Sequence, residues 1–122
     1  MESAELSRLV AEAALDKKAT DVLILDLRKL TIMCDYFVIG TARNSLHAKA
    51  IAEGIEEKLR GADRRPGHVE GLYGAGWVLM DYGDVIVHVF LEDERDFYSL
   101  ERLWTDAKVE QIEDVVSTAR GR

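Results

Sequence analysis

The sequence predicts an α/β fold: a mixed β-sheet of about five strands with helices mainly on one side. Three observations predict it. Short runs rich in Val, Ile and aromatic residues, at 22–25, 36–39, 77–80 and 85–90, have the length and composition of strands. Two longer segments, 3–18 and 44–60, repeat apolar residues at helical spacing. The order strand, helix, strand requires a right-handed crossover and at least one parallel strand pair.

The elements follow in chain order. In the first helix, 3–18, Leu6, Leu9, Val10 and Ala13 recur on one face, and Ser3 is the expected cap. In the strand at 20–27, Val22-Leu23-Ile24-Leu25 is apolar on both faces, which marks an internal position. Residues 28–34 lead to a second strand at 35–40. Asn44 or Ser45 starts the second helix, whose stripe is Ala48, Ile51, Ala52, Ile55 and Leu59. Gly61 is its expected C-terminal cap. A polar, locally basic loop at 61–68 holds the only proline, Pro66, and a short third strand is expected at 69–72.

Residues 76–90 carry the most information. Trp77-Val78-Leu79-Met80 and Val85-Ile86-Val87-His88-Val89-Phe90 read as two strands of a hairpin, with Tyr82-Gly83 as turn. If Asp81 and Asp84 flank that turn, Leu79 pairs with Ile86 and Trp77 with His88. One sheet face then shows Trp77, Leu79, Ile86, His88 and Phe90, and the other Val78, Met80, Val85, Val87 and Val89. The second set is aliphatic core. The first holds residue types that protein interfaces favour. The alternative is a sheet covered on both faces, with Trp77 as ordinary core.

After the hairpin, Phe97, Leu100, Leu103 and Trp104 share one face of a helix expected at 94–104. The final segment, 106–122, places Val109, Ile112, Val115 and Val116 at helical intervals; a docked helix is favoured over a frayed tail.

Composition bounds the function. A chain of 122 residues fits one domain, and 48% hydrophobic residues exclude global disorder. The lone Cys34 excludes an internal disulfide, points to a reducing, cytoplasmic setting and reads as a buried, inert thiol. The first residues lack a secretion signal, and no window approaches the ~20 apolar residues that span a bilayer. His47, His68 and His88 are scattered without metal-ligand spacing, so neither a metal nor a cofactor is expected.

Charge is unevenly placed. Of 23 acids and 16 bases, residues 81–101 hold seven acids and one base, a net −6, while the remaining 16 acids and 15 bases give −1. Such a segment repels a phosphate backbone and steers in a basic protein surface, so little direct RNA contact is expected. A solvated helix start accounts for Glu92–Asp96 equally well, and for Asp81 and Asp84 less well.

Four stretches, in order, are specific together: Asp35-Tyr36-Phe37-Val38-Ile39, Val69-Glu70-Gly71, the run from Trp77 to Phe90, and Arg95-Asp96-Phe97-Tyr98-Ser99-Leu100-Glu101-Arg102-Leu103-Trp104. Through them the chain resembles the bacterial ribosomal silencing factors, the Iojap/RsfS family. The resemblance runs over 1–106 and leaves 107–122 as an extension, expected to be helical. It implies a fold related to nucleotidyltransferases, without enzymatic activity or catalytic residues. It implies binding to the large ribosomal subunit through ribosomal protein fourteen of that subunit, a steric block of small-subunit joining, and repression of translation when nutrients are scarce. It places partner contacts at Trp77, Leu79, Asp81, Tyr82, His88 and Phe90, with Arg95 and Tyr98 as weaker candidates.

Each has a structural alternative. Trp77 could be core, Asp81 a turn residue bonding its own backbone, His88 a satisfied structural group, and Arg95 an internal partner of Glu101 or Asp81. Two other functions compete. A role in large-subunit assembly would use the same surface. A metal-dependent nucleotidyltransferase would need a phosphate cradle and closely spaced carboxylates; Gly40-Thr41 is a poor cradle, and Asp81 and Asp84 lie across a turn. An exposed aromatic face also pairs with itself in many proteins, so a weak homodimer of the free protein stays open.

Overall fold

A computed structural model describes residues 1–72, 74, 76–98 and 106–112, the side chains of 96–98 excepted. The element order is α1 (Ser3–Asp16), β1 (Thr20–Asp26), β2 (Tyr36–Ala42), α2 (Ser45–Gly61), β3 (His68–Glu70), β4 (Trp77–Asp81), β5 (Val85–Leu91), α3 (Glu92–Tyr98) and β6 (Lys108–Ile112). The six strands form one sheet in the order β3-β4-β5-β2-β1-β6. Only the central β2–β5 pair is parallel. The sheet is therefore two antiparallel halves joined along one parallel seam.

Strand alternation sorts the core. Val22, Ile24, Val38, Val78, Met80, Val85, Val87 and Val89 point to one face, where α1 and α2 cover them. From α1 come Leu6 and Val10, and from α2 Ile51, Ile55 and Leu59, all without solvent exposure. The opposite face holds a smaller cluster: Leu25, Leu27, Cys34, Ile39 and Phe90. As its composition requires, β1 is internal, between β2 and β6.

Local chemistry fixes the helix ends. The Asn44 side chain accepts from His47 N at 2.8 Å and caps α2. His47 itself is buried and staples the helices together. Its Nδ1 accepts from Arg43 N at 3.0 Å, and its Nε2 lies 2.7 Å from the Lys17 carbonyl oxygen. Ser3 does not cap α1. The N-cap residue is Glu2, without a side-chain bond, and Ser3 Oγ donates to Asp35 Oδ2 at 2.7 Å, tying the helix start to β2. Gly61 does not end α2 as a left-handed cap. It stays helical, and Asp63 takes the left-handed conformation (φ 62°), which a short polar side chain tolerates.

Three further expectations change. Residues 108–112 form a sixth strand, β6, instead of the start of a helix; it pairs antiparallel with β1, from Val22↔Ile112 to Asp26↔Lys108. Apolar spacing misled because on this edge strand Val109 is exposed to solvent (49%) and Ile112 alone packs against the core. Residues 113–122 lie outside the described residues, as do Leu100, Leu103 and Trp104 of the expected helix face. β3 is only three residues long and starts at His68. The hairpin register is Trp77↔Phe90, Leu79↔His88 and Asp81↔Ile86, two residues from the expected pairing. The turn residues are Gly83-Asp84, closed by Tyr82 N donating to the Val85 carbonyl at 3.0 Å, and Gly83 supplies the positive φ of 88°. A shift of two matches the strand period, so every side chain keeps its expected face.

Gly71 is required sterically. At φ 86° it passes so close to β4 that a Cβ would collide with the Trp77 carbonyl oxygen, whereas a Cβ on Gly83 would meet open space. Gly71→Ala is therefore expected to cost at least about 2 kcal/mol, a fall in Tm of about 8 °C or more, and Gly83→Ala about 1 kcal/mol. Thermal melts of the two variants check this; equal shifts would contradict it.

Candidate functional site

The site is the sheet face opposite α1 and α2. Burial alternates along β4: Val78 and Met80 are buried under the helices, while Trp77, Leu79 and Asp81 are half-buried on the other side. The parallel seam sets Phe37 beside Ile86 and Ile39 beside His88. Trp77, Leu79, Ile86 and Phe37 thus form a half-exposed row across three strands, beside the buried Ile39, His88 and Phe90 of the same face.

An aromatic block holds the row in place. The Trp77 ring stacks on Phe90 with centroids 5.0 Å apart, and His88 meets Phe37 edge-on at 4.5 Å. His88 is diagonal to Trp77 across the strands, and Trp77 Nε1 donates to His88 Nδ1 at 3.1 Å. That bond fixes the imidazole as neutral, with its proton on Nε2. Burial agrees: His88 is 4% exposed and its pKa is pushed down to about 4. Its buried Nε2 has no hydrogen-bond partner among the described residues.

The acids do not form one patch. Asp81 and Asp84 sit at the hairpin turn; Glu92, Asp93 and Glu94 sit in the first turn of α3. The length of β5 separates the two groups by about 20 Å. They bracket the apolar row, Asp81 opposite Ile86 and Glu94 against Gly76, next to Trp77. The turn-end charge is partly neutralised, because Arg64 donates to Asp84 Oδ1 and to the Tyr82 carbonyl, each at 3.0 Å. Asp81 Oδ1 accepts from Gly83 N at 2.7 Å, the backbone-bonding turn role, and its carboxylate remains half-exposed.

The structure separates the residues that sequence reasoning grouped together. Trp77, Leu79 and Asp81 reach the surface. Phe90, stacked on Trp77, is fully buried, and the buried His88 accepts the hydrogen bond of the indole. Tyr82 belongs to the opposite side: it shares the face of Met80, is 5% exposed in the helix-covered core, and burial raises its pKa to about 12. Arg95 is 9% exposed and donates to the Asp21 carbonyl and to Thr41 Oγ1, each at 2.6 Å. These bonds pin α3 across the sheet, and Glu101, one of the two internal partners expected for Arg95, lies outside the described residues. The Tyr98 side chain lies outside the described residues. Phe37 was not a sequence candidate. Its alternation with Tyr36 and Val38 gave its face, but only the β2–β5 register gives its neighbours.

Cys34 is buried, and burial raises its pKa, so the thiol is the unreactive form. Among the described residues no group of three or more His, Cys, Asp and Glu side chains could hold a metal. No helix among them is long and apolar enough to cross a membrane.

Known proteins share this architecture. A sequence model of the family described as "Ribosomal silencing factor during starvation" matches residues 1–122. A ribosomal silencing factor of Halalkalibacterium halodurans is 38% identical over 117 residues, 96% of this chain and 100% of that protein. One of Bacillus subtilis is 37% identical over 113 residues, 93% of this chain and 96% of that protein. A crystal structure of a Chromobacterium violaceum protein superposes with a TM-score of 0.83 at 37% identity, covering 93% of this chain and 95% of that one.

His88 makes stability pH-dependent. Its folded pKa lies below the unfolded value near 6.5, so between those values the unfolded chain binds more protons and stability falls as pH falls. The loss is on the order of 3 kcal/mol between pH 7 and pH 4. Carboxylates titrate in part of that window, so the measurement is the difference between the wild-type and His88→Phe urea midpoints across it. An identical pH dependence in both would contradict the assignment.

Proposed function

The chain belongs to the family of ribosomal silencing factors, and on that premise we propose that it represses translation as a steric wedge. In this reading it binds the large ribosomal subunit through ribosomal protein fourteen of that subunit, in the cytoplasm, and blocks joining of the small subunit when nutrients are limiting. The observation that carries the reading is the half-exposed row of Trp77, Leu79, Ile86 and Phe37, with acids at both ends. An apolar centre with a charged rim is the anatomy of a protein interface. Acids at the rim favour a basic protein over a phosphate backbone.

The mechanism needs no reaction. Occupancy follows mass action, so concentration and affinity set the degree of repression. Trp77 is the anchor in this scheme. The His88 bond and the Phe90 stack restrict its rotamers before binding, which lowers the entropy lost on association. Asp81 contributes its free carboxylate edge to a Lys or Arg of the partner.

Sucrose-gradient sedimentation of mixed subunits, with and without the chain, tests the block. The expected outcome is fewer paired ribosomes and co-sedimentation with large but not small subunits; equal recovery of paired ribosomes would reject it. Trp77→Ala is expected to weaken binding to isolated large subunits about 30-fold, the scale of an interface tryptophan. A thermal melt alongside separates lost contact from lost fold. Unchanged affinity in a folded variant would remove Trp77 from the interface.

A further inference from the structure

The connection between β1 and β2 exposes three large apolar side chains close together: Leu30 (40%), Ile32 (104%) and Met33 (83%). Their exposure is built in. Leu30 N and Thr31 N both donate to the Leu27 carbonyl, at 3.0 and 3.1 Å, and Met33 N donates to Thr31 Oγ1 at 3.1 Å. These bonds hold a tight turn that turns Ile32 and Met33 outward.

The base of the turn is continuous with the Trp77 face. Leu27 and Cys34 belong to the same apolar cluster as Ile39 and Phe90, against which Trp77, Ile86 and Phe37 pack. Backbone bonds from Asp35 N and Tyr36 N to the Asp84 carbonyl, at 2.7 and 3.1 Å, tie the end of the loop to the hairpin turn. Both Asp35 and Asp81 lie near enough to bear on the Cys34 thiol. Met33 precedes Phe37 by four residues, so at strand rise it stands within about 13 Å of the row.

We propose that the 30–33 loop is a second anchor of the partner surface, a knob that inserts Ile32 and Met33 into an apolar pocket on the basic ribosomal protein that Asp81 faces. The inference rests on the function proposed above and adds a demand on the partner: an apolar pocket beside its basic side chains. Three features select this occupant. The base of the knob, through Leu27 and Cys34, is continuous with the apolar cluster against which Trp77, Ile86 and Phe37 pack. Asp81, half-exposed near the Cys34 end of the loop, favours a cationic rim on that side of the pocket. A net charge of −7 disfavours a second copy of the chain or an anionic membrane as the occupant.

Fluorescence titration of the labelled full chain with isolated large subunits tests the knob, comparing wild type, Ile32→Ser/Met33→Ser and Trp77→Ala. Both loop side chains are exposed, so the double variant is expected to melt as wild type does and to bind about tenfold more weakly or worse. Wild-type affinity in the double variant, with Trp77→Ala weakened, would overturn the knob and leave the wedge standing. Failure of the wild-type chain itself to bind large subunits would overturn both. A lowered melting temperature in the double variant would make the loop part of the core and overturn its role as a knob. Sedimentation of the free chain across concentrations adds one further outcome: self-association lost in the double variant, at unchanged subunit affinity, would make a second copy the occupant and overturn the proposal.

Discussion

The parallel ladder between β2 and β5 is the constraint on which the rest of the molecule depends. It is the one seam joining two antiparallel halves, and it sets the register of everything on both faces. On the helix side it aligns Val38 with Val87, so that α1 and α2 close over one continuous aliphatic layer. On the other side it sets Phe37 by Ile86 and Ile39 by His88. A parallel pair needs a long crossover, here α2, β3 and β4, so the chain closes the seam only after most of its elements exist. The price of such non-local pairing is loop-closure entropy, repaid by burial of the central strands on both faces.

Polar chemistry on the second face is organised to present one side chain. A neutral imidazole is the only form of His88 that can accept from the Trp77 indole, and burial keeps it neutral. The indole is therefore held by a hydrogen bond and by the Phe90 ring, and the residue stays half-exposed. The Nε2 of His88, without a partner among the described residues, is a cost the fold bears for that arrangement. Arg95 plays the matching structural part at the far end of β5, where its bonds to Asp21 and Thr41 hold the start of α3 over the strand ends. That position brings Glu94 beside Gly76 and supplies the acidic rim next to Trp77.

Charge and shape thus act at different ranges. In the proposed interface the acids at both ends of the row would act at a distance on a basic surface, while the apolar row would act only on contact. The 30–33 loop, proposed as a second anchor, adds the exposed Leu30, Ile32 and Met33 to that scheme.

Much of this was legible in the sequence. The period-two alternation of residues 77–90 fixed which side chains face the helices and which face away, and a two-residue error in pairing left that division intact because it equals the strand period. The apolar stripes of α1 and α2, the Asn44 cap and the doubly apolar β1 were equally local signals. Tertiary structure alone decided the rest, because those questions turn on long-range neighbours. Alternation could not tell a buried Phe90 from a half-exposed Trp77 on the same face; stacking across strands decides that. Seven acids and one base, net −6 over 81–101, looked like one cluster along the chain, but among the described residues a strand of about 20 Å divides Asp81 and Asp84 from Glu92, Asp93 and Glu94. The spacing of Val109 and Ile112 suited a helix until the free edge of β1 claimed Lys108–Ile112 as a strand, since unpaired backbone groups there outweigh a weak local preference.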